Sequence, residues 1–166
     1  IKNAVTVIAQ TGKYLWIKDA SMSMLVYGEA PATYTNGDQL TGLVATVTTY
    51  AGATQLTPVE FPEAVAGTPV EPTVMALADV TAEKVHQYIK LEKVIYLDGT
   101  TLGDAGETLA MFDRFSTTYE GEAEDEVNVV AIVGLYNGNV QVYPISIEKV
   151  VTGGPTTAVD VIETAN

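Results

Sequence analysis

Apolar and polar residues alternate along this chain in short runs, and turn residues break the runs every few positions. A period of two puts successive side chains on opposite faces, which is the signature of a half-buried strand. Residues 2–8 alternate weakly and predict a first strand, and residues 9–13 with Gly12 a turn. Tyr14–Lys18 (YLWIK) is the clearest run, with Leu15 and Ile17 on one face and Tyr14, Trp16 and Lys18 on the other. Residues 24–27 predict a third strand, followed by a connection over 28–38 that holds Pro31 and an Asn36-Gly37-Asp38 turn. Residues 39–49 predict a long fourth strand with Gly42 as a bulge or bend, and 55–61 a fifth after a turn at 50–53.

Pro62, Gly67, Pro69 and Pro72 then interrupt the pattern and predict a linker. Residues 81–88 are the one stretch with helical features: Thr81 suits an N-cap, Glu83 the first turn, and Val85 and Tyr88 would share a side. Strands follow at 89–97, 108–112, 127–136 and 140–147. Asn137-Gly138 is a strong two-residue hairpin signal. Residues 158–163 alternate briefly, as an extra edge strand or the start of a further segment would.

Two of these stretches are similar to each other. Residues 44–59 (VATVTTYAGATQLTPV) and 130–145 (VAIVGLYNGNVQVYPI) agree at seven of sixteen positions with an offset of 86. Both carry the frame Y-x-G-x-x-Q-x-x-P, from Tyr50 to Pro58 and from Tyr136 to Pro144. Earlier positions match at an offset of 85: Asp19/Asp104, Ala20/Ala105, Thr33/Thr118 and Tyr34/Tyr119. A spacing of this size indicates duplication of a small domain. The expected architecture is therefore all-β: two tandem five-stranded Greek-key barrels with one short helix. The expected boundaries are 1–66 for the first barrel, 67–80 for a linker, 81–150 for the second barrel, and 151–166 for a linker or extra strand. The Gln55/Pro58 and Gln141/Pro144 pairs suggest a glutamine that ties each hairpin turn. Each proline would mark a place where no ladder N–H is needed.

Composition agrees with strands, since apolar residues make up 47% of the 166 positions and Val, Thr, Ile and Tyr are abundant. No apolar run approaches the length of a membrane helix. The chain opens inside a strand pattern, so any leader or lipid anchor would lie outside this sequence. Cysteine is absent, which excludes disulfides and thiolate metal sites and leaves the compartment open. The net charge of −13 is uneven: −2 over residues 1–66, −9 over 67–150 and −2 in the tail. A nucleic-acid binder is expected to carry a basic footprint, and this chain carries the opposite.

The residues Asp19-Ala20 after an aromatic strand, then LVYG at 25–28, N-G-D at 36–38 and TTYAGATQL at 48–56 carry a resemblance. Residues 1–150 resemble OB-fold (oligonucleotide/oligosaccharide-binding) modules of secreted and surface proteins from gut bacteria. In that group such modules stand in tandem or beside nuclease- or phosphatase-like domains. The chain is similar, more distantly, to OB modules of the anticodon-binding type. The resemblance implies a secreted or cell-surface location. It also implies a ligand face on the second and third strands, flanked by the 1–2 and 4–5 loops. Fold alone leaves oligonucleotide, oligosaccharide and protein ligands open.

The candidate ligand residues are Tyr14, Trp16 and Lys18 on one face of the second strand, with Tyr50 bordering it from the turn. Aromatic rings stack on bases or sugars, at about 1–3 kcal/mol per base. The competing expectation is that these rings pack against the other barrel. Trp16 aligns with Thr101 and Lys18 with Gly103, so the second copy lacks the platform. Its only comparable pair is Arg114 and Phe115, with Arg114 expected to pair with an acid. Glu120, Glu122, Glu124, Asp125 and Glu126 form an acidic run whose spacing matches no EF-hand, so a solvated loop is expected there and no metal or cofactor. His86 is the only histidine and has no triad partner in sequence, and no nucleophile-elbow, Walker or zincin motif is present. The expected function is a noncatalytic binding or accessory module of a larger secreted or envelope protein, with an oligosaccharide or a protein as partner. A purely structural module is the alternative, single-stranded nucleic-acid binding comes third and a hydrolase last.

Overall fold

The structure is a computed structural model that describes residues 1–151. The brief alternation at 158–163 lies outside the described residues. The chain is all-β, with two mixed sheets and no helix longer than one 3-10 turn among the described residues.

The first sheet holds seven strands: β1 (Val5–Thr11), β2 (Tyr14–Lys18), β3 (Ser23–Tyr27), β4 (Gln39–Leu40), β5 (Val44–Tyr50), β6 (Ala53–Glu60) and β7 (Ala64–Val65). Their order is β5-β6-β3-β2-β1-β4-β7. The expected fourth strand is split at Gly42, whose φ of +90° takes the chain out of the strand region. Because β4 pairs with β1 while β5 pairs with β6, that one broken run bonds to both ends of the β1-β2-β3-β6 series.

The second sheet holds β8 (Thr73–Val74), β9 (Tyr88–Asp98), β10 (Thr101–Asp104), β11 (Glu107–Met111), β12 (Asp125–Tyr136) and β13 (Asn139–Lys149), in the order β10-β11-β13-β12-β9-β8. A further β10–β9 pairing returns the series to its start. The stretch between the expected strands at 89–97 and 108–112 thus contains a strand, β10, that the sequence pattern did not mark.

The two similar stretches form the hairpins β5–β6 and β12–β13. Pro58 sits opposite Ala45 at a register shift between Val44 and Ala45, and Pro144 sits opposite Ala131 at a shift between Val130 and Ala131. A bulge releases a ladder position, so a residue without an N–H is tolerated there. The glutamines do not tie the turns: the Gln141 amide reaches the Tyr143 hydroxyl at 3.4 Å instead.

The expected helix over 81–88 does not form. Ala82–Lys84 is a single 3-10 turn, Val85 leaves the helical region with a ψ of 137°, and His86 takes a φ of +73°. Tyr88 already pairs with Ile132 in the ladder. A helix of two turns is marginal by itself, and strand pairing outcompetes it. The expected linker is also more ordered than its composition suggests. Ala64–Val65 pairs with β4, Thr73–Val74 pairs with β9, and Asn36 binds Val70 in both directions, at 2.6 and 3.2 Å.

Three apolar clusters result. Val7, Leu15, Ile17, Val26 and Leu40 fill the first sheet, and Leu91, Leu102, Val127, Val129 and Val142 the second. The third cluster is the seam between them: Ile8, Trp16 and Leu25 from the first sheet against Ile132 and Tyr143 from the second. Strand β2 therefore buries both faces, Leu15 and Ile17 into one core and Trp16 into the seam.

A candidate binding cleft at the seam

At one end of this seam the two sheets leave a cleft of about 180 Å³. Its floor is Trp16, Leu25 and Tyr143, and its walls include Tyr14, Tyr27, Gln55, His86 and Arg114. Tyr50 and Tyr136, the equivalent tyrosines of the two similar hairpins, also line it. The hairpin turns touch there, since the Asn137 amide donates to the Ala51 carbonyl at 2.7 Å. Both turns place two residues at positive φ, Ala51 (+52°) and Gly52 (+89°) in one, Asn137 (+50°) and Gly138 (+84°) in the other. That is the backbone a tight two-residue hairpin loop requires.

The sequence placed Tyr14, Trp16, Lys18 and Tyr50 in one ligand site. Tyr14, Trp16 and Tyr50 do line the cleft. Lys18 does not: it lies at the far end of β2 beside Asp19, Glu71 and Tyr88, around a different hollow. Trp16 is not an exposed stacking surface. It is 1% exposed, with Phe115 at 5.5 Å and Tyr143 at 5.7 Å between ring centroids. The competing expectation, packing against the other half, describes this residue. A large apolar ring contributes more by leaving water than by waiting at a surface.

The most exposed rings of the cleft are Tyr50, at 65%, and Tyr136, at 52%, ahead of Tyr27 at 37%. These two stand at the rim with faces free for a ligand, whereas Tyr14 is already engaged by Trp16 (5.7 Å) and Tyr27 (4.9 Å). Tyr136 was missed from the sequence, although its match to Tyr50 could have found it.

Tyr143 owes its place to a glycine. A Cβ on Gly134 would clash with the hydroxyl end of the Tyr143 ring, so glycine lets the ring lie across β12. The equivalent pair in the first hairpin is Thr48 and Thr57, whose hydroxyls meet at 3.3 Å. At this diagonal the first hairpin has a hydroxyl contact and the second an aromatic one, whose ring packs on Trp16.

Arg114 does not pair with an acid among the described residues. Its guanidinium lies over three rings, 4.1 Å from the Tyr14 centroid and 4.8 Å from those of Phe112 and Tyr143. Such contacts contribute about 0.5–2 kcal/mol depending on desolvation. They hold the cation and leave its hydrogen-bond donors unspent. In the acidic run, by contrast, one carboxylate, that of Asp125, is tied down. Asp125 accepts from the Tyr119 hydroxyl at 2.6 Å and the Glu122 amide at 2.8 Å, and pairs with Lys149 at 3.2 Å. The Tyr119 hydrogen bond, ahead of the others, holds the Asp125 carboxyl below its ordinary range.

His86 closes one side of the cleft and is 5% exposed. Its Nε2 lies 2.8 Å from the Thr54 carbonyl, which can only accept, so the proton sits on Nε2. Nδ1 is buried without a partner. Burial therefore lowers the pKa of the ring, and the Thr54 hydrogen bond only partly opposes it. The unfolded chain takes up a proton near pH ~6.5 and the folded one resists it. Stability is then full above that value and declines as pH falls below it, levelling off once the folded ring titrates. The melting temperature is expected to drop between pH 7.5 and 5.5, above the carboxylate range, and His86→Gln should flatten that slope. An equal slope in the variant would contradict the assignment.

No protein-family model matches the chain, and no curated protein is detectably similar to it. No helix among the described residues is long and apolar enough to cross a membrane.

Proposed function

We propose that this chain is a noncatalytic binding module of a larger secreted or cell-envelope protein, built as two OB-like barrels, and that it holds an oligosaccharide in the seam cleft. The pairing series of each sheet, in which β3 runs parallel to β6 and β11 parallel to β13, supports the barrel reading. The observation that carries the function is the pair Tyr50 and Tyr136. Two solvent-facing rings flank a ring-sized hollow whose inner wall offers Gln55 and Arg114 as hydrogen-bonding groups. Apolar faces with a few fixed polar groups are what a sugar ring requires. Oligosaccharide fits better than nucleic acid, because the cleft has one cation and the chain a net charge of −13.

The Tyr50→Ala/Tyr136→Ala double variant is expected to lose retention on a glycan array by at least about tenfold, from two stacking contacts of ~1 kcal/mol or more each. Its melting temperature should stay close to that of the parent, since both rings are largely in water. Undiminished retention would dismiss the cleft. The burial of Trp16 favours a second reading, in which the seam only fixes two barrels as one structural unit. A glycan array with no retained ligand would support that reading.

A further inference from the structure

The buried side-chain nitrogens and oxygens without a hydrogen-bond partner among the described residues are Trp16 Nε1, His86 Nδ1 and Arg114 Nε. All three residues line the seam cleft. They are also the chain's only tryptophan, only histidine and only arginine. Buried polar groups are ordinarily paired, and three exceptions at one place set this cleft apart from the rest of the described residues. The charge distribution is equally uneven. The chain holds 21 acidic residues, yet neither an acid nor a lysine lines this cleft. One guanidinium therefore sets its sign. Arg114 is stacked against Tyr14, Phe112 and Tyr143, and its guanidinium donates to no acceptor among the described residues.

Resting on the saccharide reading above, we infer that the cleft selects a sugar bearing a single carboxylate, with Arg114 as the carboxylate-binding residue. A planar fork matches a carboxylate in a way no other side chain does. A lone cation inside a strongly acidic protein admits one negative charge and opposes a polyanion, which meets the surrounding negative field. Stacking by Tyr50 and Tyr136 would hold the sugar ring whatever its charge, and Arg114 would set the preference.

The test is calorimetric titration of the intact chain with two disaccharides, one ending in glucuronate and one ending in glucose. The acid is expected to bind about tenfold or more tightly than its neutral counterpart, as a charge-assisted hydrogen-bonded pair implies. That ratio should shrink as salt is raised, and in Arg114→Gln it should collapse to near one. Equal affinities in the unmodified protein would overturn the inference while leaving the saccharide reading intact, and this comparison does not depend on the variant folding. An acid preference that survives in a folded Arg114→Gln would overturn the role of Arg114. Binding of neither disaccharide would overturn the saccharide reading and this inference together. Tighter binding of a glucuronate oligomer than of the single-charge disaccharide would overturn the one-carboxylate limit.

Discussion

Trp16→Ala is expected to destabilise the protein by about 3–5 kcal/mol, measured as a lower urea midpoint, because the indole is the centre of the seam. The ring is 1% exposed and touches Tyr14, Phe115 and Tyr143. Removing it leaves a hole lined by Ile8, Leu25 and Ile132, three side chains from two different sheets. Neither sheet can collapse into that hole without moving relative to the other. The contacts that remain across the seam include the Asn137–Ala51 and His86–Thr54 bonds and a 3.4 Å contact from the Thr11 hydroxyl to the Arg114 carbonyl. A loss below about 1 kcal/mol would mean that the two halves do not depend on each other through this residue.

Gly134→Ala should cost about 1–3 kcal/mol, although it is the smallest change a glycine allows. Its added methyl would occupy the space of the Tyr143 ring. That ring is only 9% exposed and is held between Trp16 and the Arg114 guanidinium, so it cannot swing away freely. In a Tyr143→Leu background the clash is gone, and the same substitution should be nearly neutral. A coupling of about 1 kcal/mol or more between the two positions is the expected outcome of that cycle, measured by denaturant unfolding. Additive effects would show that the Tyr143 ring is not what excludes a side chain at Gly134.

Much of the strand content is legible in the alternation itself. Leu15 and Ile17 point into the first core as their period demands, and Asn137-Gly138 makes the turn its residue types favour. The seam is far less legible. The period of two separates Trp16 from Leu15, but it cannot say whether the second face meets water or another sheet. Arg114 could not be placed because two of its three rings, Tyr14 and Tyr143, are distant in sequence. Thr81, Glu83, Val85 and Tyr88 carried a helical pattern that lost to ladder pairing and to the anchoring of His86. Pro62, Pro69 and Pro72 advertised a free linker, and the amide of Asn36 fastens that segment at Val70. In each case a distant partner decided the outcome.

The single tryptophan makes the cleft directly observable. Trp16 emission should shift saturably when the best-retained oligosaccharide of a glycan array is titrated into the protein, and the shift should vanish in Tyr50→Ala/Tyr136→Ala. Retention of that oligosaccharide with Trp16 emission unmoved would place the ligand elsewhere and contradict the account.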